Sequence, residues 1–242
     1  MFSKTALAKM IDNSLIRAEA TEDDIIRFCA ESIEHRFACV VVLPYWVSVA
    51  AKQLRGSDVK LATVVGFPFG AVPAACKVYE ARQAIAMGAV ELDMVVNLGA
   101  VRSGQHDVVR REMEDVVTLA KVTGLTEHGE EILVKLIIET SLTTRAEQER
   151  ICKTAEEVRA DFIKTCTGFG PRGVIVEDVK FLRQIVGRDT GIKAAGGIRT
   201  YEQALAMINA GASRIGTSCG FAILEGYSRA EQPIAEEVLE RE

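Results

Sequence analysis

Short runs of apolar, mostly β-branched residues recur along the whole chain: ACVVVL (38–43), KLATVVGF (60–67), VELDMVVN (90–97), ILVKLIIE (132–139), DFIKTCT (161–167), GIKAAGG (191–197) and SRIGTS (213–218). Each has the length and composition of a strand, and IDNSL (11–15) is a weaker eighth candidate. Helix signals fill most of the gaps. Thr21 with Asp24, Thr144 with Glu147 and Thr200 with Gln203 have capping-box spacing, and Pro73 opens a further helical stretch. No Pro/Ser-rich linker or low-complexity segment interrupts the alternation, so residues 1–242 read as one domain. Eight units in 242 residues match the ~250-residue size of a (β/α)8 barrel, and an α/β barrel is the predicted fold. A doubly wound open sheet shares the alternation. The acidic segment 227–242 reads as a helix or a mobile tail.

A quasi-repeat favours the barrel. MGAVELD (87–93) and AGASRIG (210–216) share a Gly-Ala step before a strand, and VRADFIK (158–164) keeps the register without the glycine. Four residues beyond Ala89, Ala160 and Ala212 lie Asp93, Lys164 and Gly216. Side chains alternate across a strand, which separates two sets. Leu92, Met94, Val134, Leu136, Ile138, Ile163, Ile192 and Ala194 suit the helix-covered face. Glu91, Asp93, Lys135, Glu139, Lys164, Lys193 and Arg214 then point into the barrel. So many inward charges require partners, because unpaired buried charges cost several kcal/mol each. A structural ion-pair network that fills the barrel is the plain alternative to chemistry.

Composition narrows the class. Lys and Arg number 29 against 34 Asp and Glu, a net charge of −5, and 48% hydrophobic with 26% charged residues fits neither a disordered nor a fibrous chain. The acidic balance and the lack of a basic run argue against a nucleic-acid partner. MFSKTALAKMIDNSL has no continuous apolar core, and the longest apolar stretch, from Ala38, is broken by Pro44 and Ser48, so no membrane association is expected. Six cysteines without a CxxC pair and only three histidines argue against a metal site and for free thiols in a reducing cytoplasm.

Lys164 and Lys193 fall on the sixth and seventh strands with the same inward parity. Burial and mutual repulsion both favour a neutral amine, and bringing a lysine from ~10.4 to near 7 requires roughly 4–5 kcal/mol of differential interaction. A neutral lysine attacks carbonyls. Asp93, two strands back, is placed to stay ionised beside these amines and to move protons through a bound water. That layout fits Schiff-base chemistry, although a lysine beside an aspartate is also the commonest structural salt bridge.

GGIRT (196–200) and GTSCG (216–220) follow the seventh and eighth strands, where barrels place phosphate sites; tight turns alone would also use these glycines. GFGPRG (168–173) matches GxGxxG, but it contains Pro171 and lies on a late unit whose next strand carries Lys193 instead of an acidic ribose ligand. Tyr45 and Trp46 read as aromatic packing under a helix, and His35, His106 and His128 as solvated. Cys166, inward near Lys164, has no histidine to activate it and reads as a packing residue.

ELDMVVNLGAVRSG (91–104), VKLIIET (134–140), FIKTCTGFGPRG (162–173) and GIKAAGGIRTYEQALAMINAGASRIGTS (191–218) together resemble the deoxyribose-phosphate aldolase family. These are class I aldolases with a (β/α)8 fold, and the resemblance runs from MIDNSL near residue 10 to GTSCGFAILEG (216–226). It implies Lys164 as the Schiff-base lysine, Asp93 and Lys193 as its proton-relay pair, and Lys135 as a further lysine of the site, electrostatic in role. Phosphate contacts would fall on Gly168, Gly196, Gly197, Gly216 and Ser218. The implied substrate is 2-deoxyribose 5-phosphate, cleaved to glyceraldehyde 3-phosphate and acetaldehyde with no metal or organic cofactor, in a homodimer or higher homo-oligomer.

Three positions depart from the family pattern. IDHT is IDNS, with Asn13 for histidine; the CVNP strand end reads VVLP, with Leu43 for a polar residue; and the second serine of GTSSG is Cys219. These changes leave the Schiff-base group intact and bear on the substrate mouth and phosphate pocket. An aldolase for another phosphorylated sugar, and a barrel that binds sugar phosphates without turnover, are the competing expectations.

Overall fold

A computed structural model describes residues 3–123 and 131–230. Eight strands, β1 (Ile11–Leu15), β2 (Cys39–Val42), β3 (Lys60–Val65), β4 (Glu91–Val95), β5 (Leu133–Ile137), β6 (Phe162–Lys164), β7 (Gly191–Ala195) and β8 (Arg214–Thr217), pair in parallel in chain order. Pairing of β1 with β8 closes the barrel, so the chain folds as a single (β/α)8 barrel. Every predicted strand is present. Most were drawn too long at the C-terminal end, where the chain leaves the ladder to build the mouth; the run 161–167 leaves it after Lys164.

The helices are α1 (Lys4–Ala8), α2 (Glu22–Glu34), α3 (Val47–Leu54), α4 (Ala74–Ala86), α5 (Leu98–Arg102), α6 (His106–Thr123), α7 (Arg145–Glu157), α8 (Val176–Ile185), α9 (Tyr201–Asn209) and α10 (Gly220–Ala230). Thr21, Thr144 and Thr200 form reciprocal capping boxes at the starts of α2, α7 and α9, and Pro73 is the N-cap of α4. Residues 227–230 belong to α10; the rest of the acidic segment, like His128, lies outside the described residues. No described helix is long and apolar enough to cross a membrane.

The two parity sets separate as expected. Leu92, Met94, Val134, Leu136, Ile138, Ile163, Ile192 and Ala194 are fully buried in the layer between strands and helices. At ~25 cal/mol per Å² of apolar surface removed from water, this layer is the main source of stability. The barrel interior is itself divided. On the β2–β3 side Cys39, Val41, Ala62 and Val64 pack with Leu43 and Phe67. The charges occupy the remaining arc.

Candidate active site

Lys164, the last residue of β6, is the register partner of Lys193 in the middle of β7. Both amines reach Asp93 on β4. Lys164 Nζ donates to Asp93 Oδ2 at 2.8 Å, and Lys193 Nζ donates to the same oxygen at 2.7 Å. Lys135 Nζ donates to the other oxygen, Oδ1, at 3.0 Å. Beneath this layer Lys135 pairs with Glu91, and Arg214 donates to Glu91 Oε1 at 3.0 Å and pairs with Asp12. Asp12 Oδ2 also lies 2.6 Å from Lys193 Nζ.

Three carboxylates (Asp12, Glu91, Asp93) therefore face four basic groups (Lys135, Lys164, Lys193, Arg214). The formal charges balance when one base is neutral, and Lys164 is the one the surroundings select. Burial, then the ammonium groups of Lys193 and Lys135, outweigh the attraction of Asp93 and lower its pKa from 10.5 to about 8. Burial alone would raise the Asp93 carboxyl, but Lys135, Lys164 and Lys193 together hold it well below the usual range. Lys135, which burial alone would neutralise, is kept charged by Asp93, Glu91 and Asp12. Lys193 and Asp93 are fully enclosed, whereas Lys164 retains 4% exposure. That accessible surface belongs to the one base poised to be a nucleophile.

Lys135 is fully buried among carboxylates, so its part in this arrangement is electrostatic and it presents no surface to a ligand. Asp12, which sequence reasoning did not select, joins Lys193 to Arg214. Its signal was its parity in IDNSL, obscured because that strand carries only two large apolar residues, Ile11 and Leu15. Asp12, Cys39 and Glu91 each place a donor atom within 4.8 Å of one another, a spacing that could suit a cation. Lys135, Lys193 and Arg214 already neutralise those carboxylates, and burial pushes the Cys39 thiol well above its ordinary value. The donor set therefore fits an ion-pair network better than a metal centre.

At the mouth, Gly168 and Gly197 are exposed and Gly196 half-buried, all with positive φ, and Ser218 is exposed just before α10. Gly216 differs. It lies within β8, where an added Cβ would stand 2.9 Å from Lys193 Cε, so its bareness gives the lysine stem room. The glycines of the 168–173 loop are also accounted for. A Cβ at Gly170 would meet Ser141 Oγ at 2.4 Å, and one at Gly173 would meet Gly196 O at 2.5 Å. Close loop packing accounts for Gly170 and Gly173, and a positive φ of 89° for Gly168.

Several parity and packing expectations need correction. Glu139 lies beyond the end of β5 with φ +47, so strand alternation no longer applies. Its Oε2 accepts from Thr167 N at 2.9 Å and Thr167 Oγ1 at 2.6 Å, which braces the 168–173 loop from outside the ion network. His35 is not solvated but half-buried against Phe37 and Phe221. Tyr45 is 82% exposed instead of lying under a helix, while Trp46 packs on the core. Asn13 points away from the mouth: its Nδ2 donates to Ser32 Oγ at 3.2 Å beneath α2. Cys166 is buried beside Thr140, its thiol pushed up to about 11 mainly by burial, as suits a packing residue.

Known proteins resemble this chain along most of its length. A deoxyribose-phosphate aldolase of Thermococcus gammatolerans is 51% identical over 93% of this chain and 98% of its own length. Another from Caldanaerobacter subterraneus is 46% identical over 92% of this chain and 94% of its own. Among solved structures, the deoxyribose phosphate aldolase of Aeropyrum pernix, described as a tetramer, superposes with a TM-score of 0.86 at 32% identity, covering 94% of this chain and 93% of that one. The model of the DeoC/LacD aldolases matches residues 6–226, and the chain belongs to that family.

Proposed function

We propose that this aldolase reversibly cleaves 2-deoxy-D-ribose 5-phosphate to D-glyceraldehyde 3-phosphate and acetaldehyde through a Schiff base on Lys164. One observation carries the reading: a lysine with its pKa lowered to about 8 shares a carboxylate oxygen with a second lysine and, unlike that lysine, retains 4% exposure. Neutral Lys164 Nζ adds to the aldehyde carbon of the open-chain sugar, and loss of water leaves an iminium that draws electrons from C2. A water held by Asp93 and Lys193 takes the proton of the C3 hydroxyl. The C2–C3 bond breaks towards the iminium, C3 leaves as the aldehyde of glyceraldehyde 3-phosphate, and a two-carbon enamine remains. Protonation at C2 and hydrolysis return acetaldehyde and the free amine. The iminium itself is the electron sink, so no step calls for a cofactor.

The phosphate falls to Gly168, Gly196, Gly197 and Ser218, with Gly216 beside them. The names of the relatives support the substrate, and the glycine loops after β6, β7 and β8 support the phosphate. Borohydride reduction in the presence of acetaldehyde tests the proposal. A stable adduct on the peptide containing Lys164 is expected; no adduct, with undiminished cleavage by Lys164→Ala, overturns it.

Leu43, packed with Phe67 at the interior rim, and Cys219, beside Ser218, support a second reading in which another phosphorylated sugar is preferred. Cleavage rates over a panel of sugar phosphates separate the two. A binding barrel without turnover would show ligand-raised melting and no aldehyde. Assembly as a homo-oligomer is supported by exposed Phe69, Val72 and Tyr79, which line a largely apolar groove of 460 Å³, and light scattering tests it. A cytoplasmic location is supported by six free cysteines.

A further inference from the structure

Outside the barrel, between α4 and α6, lies a second charged pair unrelated to the interior network. Lys77 and Glu112 are 0% and 1% exposed, with Lys77 Nζ 2.6 Å from Glu112 Oε2. A buried pair of this kind adds little to stability, because desolvation offsets the attraction. Its other contacts point elsewhere. Lys77 Nζ donates to Val95 O at 2.8 Å, and Glu112 Oε1 accepts from Asn97 N at 2.6 Å. The pair thus holds two backbone groups where β4 leaves the sheet, two to four residues beyond Asp93. The same lysine stem underlies Gly66, where a Cβ would stand 2.9 Å from Lys77 Cε. Gly70 in turn closes on Val96, where a Cβ would stand 2.1 Å from the carbonyl oxygen. The end of β4 is held by the Lys77–Glu112 pair, and the loop after β3 packs on the same lysine stem while Gly66 N donates to Glu80 Oε2 at 2.7 Å.

We propose that Lys77 and Glu112 are positioning residues that fix the end of β4 and so set the reach of Asp93 to Lys164 and Lys193. The proposal rests on the Schiff-base reading. Misplacement by about 1 Å can cost a reaction ~10²-fold, and Asp93 must serve two amines from one oxygen. Formation of the imine asks first for the neutral amine of Lys164, which burial favours most. Proton transfer at the neighbouring carbon asks for Asp93 in register.

The test compares those two steps in the full chain carrying Lys77→Met and Glu112→Leu together, a replacement that keeps the site packed and uncharged. Borohydride trapping of acetaldehyde on Lys164 reads the first step. Exchange of the acetaldehyde methyl protons with deuterated water reads the second. Trapping within about threefold of the parent with exchange reduced at least tenfold is expected. An unchanged ratio of exchange to trapping overturns the proposal, since a generally loosened fold would lower both alike. Glu112→Gln is the second variant, with a smaller loss of exchange expected; failure of both to fold would make the pair an element of the fold and overturn the positioning role. Absence of trapping in the parent would count against the Schiff-base reading itself and is distinguishable from either result.

Discussion

Lys164 and Lys193 are register partners on neighbouring parallel strands, and their amines converge on a single oxygen of Asp93, at 2.8 and 2.7 Å. Two like charges in this position are tolerable only while Asp93 is ionised, and their repulsion eases when one amine gives up its proton. The partner that does so is Lys164, the less completely enclosed of the two.

The pH dependence of imine formation follows. Attack requires the unprotonated amine, and with a pKa of about 8 its population falls tenfold per pH unit below that value. Trapping by borohydride, measured as an initial rate with acetaldehyde, is expected to rise from pH 6 and level off above about pH 8. Lys193→Met removes a repelling charge, so the rise should move to higher pH. A plateau reached only near pH 10 in the parent would show an ordinary lysine.

Asp93→Asn has two separable effects. Three buried lysines lose their shared counter-charge, which is expected to lower stability by ~3–5 kcal/mol in denaturant titrations. Asp93 also holds the Lys164 pKa up, so its loss should shift the trapping curve to lower pH while sugar cleavage drops by at least about 10²-fold. Retained cleavage would remove Asp93 from the proton relay.

Gly216→Ala tests the room around Lys193. The new methyl would stand 2.8 Å from Ala195 Cβ and 2.9 Å from Lys193 Cε, so the lysine must shift and its contacts with Asp93 and Asp12 must lengthen. Overpacking of this size costs ~1–3 kcal/mol, and kcat is expected to fall roughly tenfold with the melting temperature. A variant with parent kcat would mean that the stem has slack.

Glu139→Gln probes the mouth without touching the ion network. The carboxylate accepts from both the amide and the hydroxyl of Thr167, and the charge strengthens both bonds. The KM for a phosphorylated sugar is expected to rise severalfold, while trapping of acetaldehyde, which has no phosphate, stays as in the parent. Equal losses in both assays would contradict a role confined to the 168–173 loop.

The strands and the interior lysines were legible because alternation is strict inside a parallel barrel: Asp93, Lys164 and Lys193 could be placed on one face from parity alone. The same rule misplaced Glu139, since parity ends where the backbone turns left-handed. Asp12 was hidden by a short strand of mixed polarity. Lys77 and Glu112 were out of reach for a different reason. On a helix a charged residue reads as part of the solvated face, and nothing local reveals that two such faces meet across 35 positions. Tyr45 read as core because exposed aromatics carry no mark in sequence.

Closure of the barrel has a chemical corollary. Asp12 on the first strand meets Lys193 and Arg214 on the last two, and Asp93 joins them from the fourth. The pKa of Lys164 is set by burial together with Asp93, Lys193 and Lys135, which stand 71, 29 and 29 positions away along the chain. The nucleophile is thus a property of the assembled ring and not of any peptide cut from it, so unfolding returns Lys164 to an ordinary ammonium.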